Sequence, residues 1–255
     1  MSEHPFDLTG RRALVTGAGS GLGQAIAQGL ARAGASVVVN GRNADKLRRA
    51  VDGLAAAGAK AEAAVFDVTQ AAVVIEAVGN IERKLGPIDI LVNNAGVNQR
   101  GPLDSFSESD WHKLMSANLD GPFLVARAVI PAMKARRRGK IINICSLASD
   151  IGRPNIVPYA TSKGGLKMFT RALAVELAPY NIQVNGITPG FFRTEMNAAL
   201  VADAEFSAWV ERRTPAARWG DPPEIAGAAV FLASSAADYV TGHLLAVDGG
   251  FSAAY

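Results

Sequence analysis

The stretch Arg12-Ala-Leu-Val-Thr16-Gly17-Ala18-Gly19-Ser20-Gly21-Leu22-Gly23-Gln24 decides the fold. Aliphatic residues suited to a strand run directly into a glycine-rich turn, and residues 21–33 then take helical spacing. A strand that turns through glycine into a helix lets backbone N–H groups approach a pyrophosphate at the helix N-terminus. Gly17, Gly21 and Gly23 give the spacing G-x-x-x-G-x-G, not the general G-x-G-x-x-G. The expected dinucleotide contacts here are Gly17, Ser20, Gly21, Leu22 and Gly23; a merely tight connection is the other reading.

Outward from this turn, short aliphatic runs alternate with helical patterns along almost the whole chain, the signature of βαβ units. Strands are expected at residues 12–16, 36–40, 61–66, 88–93, 140–146, 182–187 and 243–247. Helices are expected at 21–33, 43–57, 70–85, 107–134, 158–178 and 224–233. The run Val37-Val38-Val39 lacks polar alternation, as in a strand buried on both faces. These elements predict an α/β fold, a single doubly wound Rossmann-type parallel sheet of about seven strands with helices on both faces. One domain, residues 1–255, is expected. Regularity fades between 188 and 223, so that stretch is predicted to be a mobile cover over a site.

The chain has 255 residues, 49% hydrophobic and 19% charged, with 26 Gly and 12 Pro, which excludes a disordered or collagen-like chain. Its net charge of +3 is a weak field, so no nucleic-acid partner is expected. The dense basic run Lys134-Ala-Arg-Arg-Arg-Gly-Lys140 is read as a solvated helix end. No uncharged apolar stretch is long enough for a membrane span, and the N-terminus lacks the pattern of a signal peptide. A cytoplasmic location is expected. Cys145, the single cysteine, is read as a packed core residue in a reducing compartment. His4, His112 and His243 show no metal spacing, so no metal is expected.

Asn40-Gly41-Arg42-Asn43 ends the second strand. NAD-preferring dinucleotide folds place Asp or Glu there to accept from the ribose 2′-OH. Asn40 removes the repulsion that a 2′-phosphate would meet, and Arg42 supplies a planar cation suited to phosphate. NADP is therefore predicted over NAD, unless Arg42 is only a solvated residue ahead of the helix. Asp67-Val68 and Asn94-Ala95-Gly96 follow the third and fourth strands, at the carboxyl ends where open α/β sheets bind ligands. Asp67 either accepts from an adenine amino group or caps the helix near Gln70.

Ser146 ends a strand, and Tyr159 and Lys163 stand four apart on the next helix, on one face. A free phenol titrates near pH 10 and is a poor base at neutral pH; a cation within ~4–6 Å lowers such a value by about 1–3 units. This spacing therefore points to acid/base chemistry.

Thr16 to Gly23, Asn93-Asn94-Ala95-Gly96, Asn118, Ser146, Tyr159-Ala-Thr-Ser-Lys163, Pro189-Gly190 with Thr194, and Val247-Asp-Gly-Gly250 resemble the short-chain dehydrogenase/reductase family in order, identity and approximate spacing. The resemblance implies that Tyr159 exchanges a proton with the substrate oxygen while a hydride moves between substrate carbon and nicotinamide. Ser146 would hold that oxygen, and Lys163 would also hydrogen-bond the nicotinamide ribose. Asn118 resembles the asparagine that holds a relay water near the lysine; a helix kink is the alternative. Thr194 resembles the residue that contacts the nicotinamide carboxamide, or else is an N-cap. Pro189 and Gly190 join the cofactor contacts. The family also suggests a homotetramer built from helices 107–134 and 158–178.

Arg100 and Arg153 lie in loops near this site, and either could grip a carboxylate bidentately or be an ordinary exposed arginine. Phe191, Phe192 and Trp209 would line the pocket or pack the cover. The stretches Val39-Asn-Gly-Arg-Asn43, Val65-Phe-Asp-Val-Thr69, Asn143-Ile-Cys-Ser146 and Arg213-Thr-Pro-Ala-Ala-Arg-Trp-Gly220 resemble family members acting on gluconate and 5-keto-gluconate. Members acting on deoxy-keto-uronates, other polyols or 3-oxoacyl substrates are the alternative. A non-catalytic nucleotide sensor of the same fold would lack the Tyr or Lys that this chain has.

Overall fold

The computed structural model describes residues 4–254, so the ends of the expected 1–255 unit, 1–3 and 255, lie outside it. Seven parallel strands form one sheet in the order β3-β2-β1-β4-β5-β6-β7. They are β1 (Arg12–Val15), β2 (Ser36–Gly41), β3 (Ala61–Val65), β4 (Ile90–Asn93), β5 (Gly139–Ile144), β6 (Ile182–Pro189) and β7 (Leu244–Val247). The order reverses direction between β1 and β4, which opens the crevice where such sheets take ligands.

Both faces of the sheet are buried, and strand alternation sorts the core into two layers. Val15, Ile90, Val92 and Ile142 pack with Ile26 and Leu30 of α1 (Gly21–Arg32), Leu47 and Leu54 of α2 (Ala44–Ala56), and Leu232 of α9 (Ala226–Ala233). Leu14, Leu91, Ile141 and Val184 face the other way. They meet Val78 of α3 (Ala71–Leu85), Val125 and Met133 of α5 (Gly121–Arg136), and Leu173 and Leu177 of α6 (Val157–Leu177).

Two of the expected elements need correction. The helix expected over 107–134 is α4 (Glu108–Met115), a π-helical turn over Ser116–Asp120, and α5. The extra residue in that turn carries Asn118 inward. Regularity does not fade throughout 188–223, which contains α7 (Ala198–Ala202) and α8 (Ala204–Arg213). Asp203 starts α8 by accepting from the N–H groups of Glu205 and Phe206.

The basic run 134–140 is not left to solvent either. Arg138 pairs with Asp89 at 2.7 Å, Arg136 donates to the Ile88 carbonyl at 2.9 Å, and Lys140 pairs with Asp238 at 2.6 Å. Those contacts tie the end of α5 to the start of β4, and β5 to the segment before β7. Among the described residues no helix is long and apolar enough to cross a membrane.

Candidate active site

Gly17 has a φ of +63°, and a Cβ there would stand 2.8 Å from Ala95 Cα. Only glycine permits both the left-handed backbone and that approach. Asn94 closes the turn from across β4: its Nδ2 donates to the carbonyls of Thr16 at 2.9 Å and Gly17 at 3.1 Å. Thr16 Oγ1 answers by accepting from the N–H groups of Asn94 and Ala95. The glycine-rich turn and the segment Asn94-Ala95-Gly96 are thus locked together at the reversal point of the sheet.

A cavity of about 580 Å³ runs from this turn along the carboxyl ends of the strands. Gly17, Ser20, Gly21, Leu22, Gly23, Asn94, Ala95, Gly96, Ser146, Tyr159, Lys163, Pro189, Gly190 and Thr194 all line it, as do Arg100 and Arg153. Asn40, Arg42, Asp67, Val68 and Asn118 lie outside that lining.

The reading of Asn40 is corrected. Its side chain is 1% exposed and donates to the carbonyls of Ala64 and Phe66 on the β3 side, both at 3.0 Å. The last strand position before Arg42 is Gly41, which has no side chain to oppose a phosphate. Arg42 is exposed, 3.7 Å from Asp67. Burial alone would raise the Asp67 carboxyl, but hydrogen bonds from Thr69 and the Arg42 guanidinium outweigh it and hold it below the ordinary carboxylate range. Asp67 therefore anchors the turn after β3 by accepting from Thr69 N–H at 2.9 Å and Thr69 Oγ1 at 2.8 Å. Val68 packs inward, toward Gly121.

Helix α6 presents Tyr159 and Lys163 to the cavity floor. Lys163 is buried, donates to the Ile144 carbonyl at 2.7 Å, and holds its ammonium 6.0 Å from the centre of the Tyr159 ring. Asn118 is fully buried: Oδ1 accepts from Val97 N–H at 2.8 Å, and Nδ2 donates to the Val97 carbonyl at 2.9 Å and Ser162 Oγ at 3.1 Å. The π-helical turn thus ties the loop after β4 to α6 one residue before Lys163. Ser146 Oγ accepts from Ala148 N–H at 3.1 Å. Next to it, Cys145 is buried, and burial pushes its thiol up to about 11, so it stays protonated at neutral pH. No group of three His, Cys, Asp or Glu stands together as a metal site among the described residues.

Arg100 and Arg153, also on the cavity wall, are half-buried, and burial lowers the proton affinity of both. Arg153 stands over Phe191, Phe206 and Trp209. Phe191 and Trp209 line the cavity and also belong to the aromatic packing of the 188–223 segment, so they do both things the sequence offered as alternatives.

A family model described as enoyl-(acyl carrier protein) reductase matches residues 17–252. A gluconate 5-dehydrogenase of Gluconobacter oxydans (strain 621H) is 53% identical over 251 residues, 98% of each chain. A 5-keto-D-gluconate 5-reductase of Escherichia coli (strain K12) is 51% identical over 245 residues, 96% of each chain. The chain belongs to the short-chain dehydrogenase/reductase family. This dehydrogenase is an oxidoreductase of the class acting on CH–OH groups. Among solved structures it resembles a gluconate 5-dehydrogenase from Burkholderia cenocepacia J2315 in complex with NADP and tartrate, with a TM-score of 0.96 and 52% identity over 98% of each chain.

Sequence reasoning missed several residues of the dehydrogenase's cavity. Glu195, Met196, Arg213 and Phe251 line it. Lys46 grips both carboxylate oxygens of Glu195 at 2.8 Å and packs against Gly19 of the turn. No local pattern announces a pair 149 residues apart. Ser162, inside the quoted Tyr-Ala-Thr-Ser-Lys stretch, was legible as a polar residue facing Asn118 only once the π-helical turn was known.

Proposed function

We propose that this dehydrogenase transfers a hydride between NADP(H) and a sugar acid, interconverting gluconate and 5-keto-gluconate. The charge of its cavity carries the reading. Arg100 and Arg153 share a wall with Tyr159, and no carboxylate pairs with either among the described residues. A half-buried cation without a counter-ion is costly, and a substrate carboxylate supplies that charge through bidentate hydrogen bonds. The identity to relatives named for gluconate and 5-keto-gluconate supports the same substrate.

The dinucleotide fits the residues present: a Cβ at Gly17 or Gly23 would fill the cradle against Ala95 or Asn94. Gly17, Ser20, Gly21, Leu22 and Gly23 would hold the pyrophosphate at the start of α1. Asn94, Ala95, Gly96, Pro189, Gly190 and Thr194 would hold the nicotinamide half. Arg42, beside a Gly41 that offers no carboxylate, favours the 2′-phosphate of NADP, and the NADP in the Burkholderia complex supports that reading. When bound, the nicotinamide supplies or accepts the hydride.

The chain's own residues handle the proton. Tyr159 gives its phenolic proton to the substrate oxygen in reduction and takes it back in oxidation. Ser146 holds that oxygen. Lys163 places a positive charge beside the phenol, and Asn118 keeps the loop after β4 against α6 so that a relay water can stand near Lys163. Arg100 grips the substrate carboxylate. Residues 188–223 act as a cover on a chain that works as one unit. A cytoplasmic homotetramer completes the reading; exposed Phe123 on α5 and Met168 and Val175 on α6 offer the apolar faces it would use.

The test is a substrate panel followed by nicotinamide absorbance with NADPH and NADH. Reduction of 5-keto-gluconate with NADPH is expected, and R100A should raise KM roughly 10- to 100-fold, the scale of a lost charge-assisted hydrogen bond. Good activity on neutral ketones with none on any sugar acid would overturn the assignment.

A further inference from the structure

Arg153 differs from Arg100 in what surrounds it. Its guanidinium carbon stands 5.7 Å from the ring centre of Phe191, 5.3 Å from Phe206 and 6.0 Å from Trp209. All three rings come from the 188–223 segment, whereas Arg153 sits in the loop between β5 and α6. The rings also brace one another: Phe191 meets Trp209 at 5.7 Å and 89°, and Phe206 at 5.8 Å and 70°. A guanidinium held over aromatic rings by cation–π attraction still has its N–H donors for an acceptor.

The charges nearby leave those donors unpaired. Among the described residues Glu195 is the one acid on the wall of the cavity, and Lys46 already takes both its oxygens at 2.8 Å. Arg153 is half-buried, and after burial the charge of Arg100 is the next cause that lowers its proton affinity. Two cations therefore repel across a partly desolvated cavity, and no carboxylate of the described residues pairs with either to offset the cost.

We propose that Arg153 is a specificity-determining residue that joins the cover to the substrate's charge: with Arg100 it holds the substrate carboxylate, while its aromatic cage carries that contact into the 188–223 segment. An anion between the two guanidiniums relieves their repulsion and favours the arrangement in which Arg153 is caged. A neutral ketone leaves the repulsion in place. Selectivity for acids and settling of the cover are then one event, because a ligand shifts a conformational equilibrium only by its differential affinity for the two states.

This inference rests on the reading of the cavity as a sugar-acid site, and its experiment separates the two. The first readout is the ratio of kcat/KM for 5-keto-gluconate to that for a neutral keto-sugar. R153Q should lower the ratio about 10- to 100-fold. R153K, which keeps a charge but no plane to stack, should recover only part of it. An equal loss on both substrates, an unchanged ratio in R153Q, or full recovery in R153K would each overturn the proposal. The second readout is Trp209 emission on adding gluconate to the NADP-loaded protein, assigned by its disappearance in W209F. A response in the wild type that is lost in R153Q supports the coupling even where turnover is too slow to measure; the same response in both overturns it. Failure of the wild type on every sugar acid, with good turnover of neutral ketones, would instead sink the proposed function.

Discussion

The ammonium of Lys163 donates to the Ile144 carbonyl at 2.7 Å while standing 6.0 Å from the centre of the Tyr159 ring. A buried cation is thereby fixed between the end of β5 and the phenol one helical turn away. Tyr159→Phe removes the exchangeable proton and leaves the ring, so turnover should fall about 10²- to 10⁴-fold, the usual contribution of a positioned acid/base. NADPH titration followed by nicotinamide fluorescence should be little changed. Full turnover in that variant would exclude Tyr159 as the proton carrier.

Arg42 and Asp67 make the next prediction. Because the Asp67 carboxyl is held below the ordinary carboxylate range, it stays ionised between pH 6 and 9, roughly the span of an assay. Arg42→Ala should therefore weaken NADPH binding roughly 10- to 100-fold at every pH in that span, and NADH binding far less. An equal effect on both cofactors would show that Arg42 does not meet the 2′-phosphate.

The placement of these residues shows what could be read in advance and what could not. Tyr159 and Lys163 were legible because helical spacing alone puts residues four apart on one face, and Ser146 because it ends a strand. Asn40 was misplaced for a physical reason. Val37, Val38 and Val39 are all buried, so the run carries no alternation from which to tell which way the next side chain points. The π-helical turn at Ser116–Asp120 leaves no composition signal, since it inserts a residue without a glycine or proline. In 188–223 the Pro, Gly and aromatic content concealed α8, although Asp203 is an ordinary N-cap. Lys46 and Glu195 meet only through the tertiary fold.

Asn118 satisfies both polar groups of Val97 and reaches Ser162 from full burial. Asn118→Leu would leave the Val97 N–H without that partner, a loss of about 1–3 kcal/mol. For a chain of this length that is a fall in Tm of roughly 2–12 °C. Turnover should drop as well, because the loop after β4 and α6 lose their tie next to Lys163. An unchanged Tm in thermal unfolding would mean that the Val97 N–H finds another acceptor.

Gly23 tests the cradle. A Cβ there would stand 2.4 Å from Asn94 Nδ2 and 2.5 Å from the Gly17 carbonyl oxygen. Neither neighbour yields easily, since Asn94 Nδ2 already donates to that same carbonyl at 3.1 Å and to Thr16 at 2.9 Å. Gly23→Ala should cost about 1–3 kcal/mol by overpacking. It should also open the turn enough to weaken NADPH binding by roughly tenfold or more, since 1.4 kcal/mol corresponds to about a factor of ten. Retained affinity in a fluorescence titration would show that the turn relaxes without losing its N–H geometry.

Lys46 and Glu195 bridge α2 and the segment after β6 across the glycine-rich turn, so the pair should act as a clasp on bound cofactor. The Lys46 ammonium holds the Glu195 carboxyl below its ordinary value. The sign follows: the interaction is fully present above the ordinary carboxylate range and is lost only as pH falls through the depressed value, so it is intact at neutral pH. Both side chains are exposed, 38% and 65%, which limits the effect to the small one of a screened surface ion pair. Glu195→Gln and Lys46→Ala should each speed NADPH release no more than roughly fivefold in stopped-flow displacement, and the double variant should be no faster than either. Added salt should accelerate release in the wild type and much less in the variants. Additive effects in the double variant, or a salt response that survives both substitutions, would show that the clasp is not what slows release.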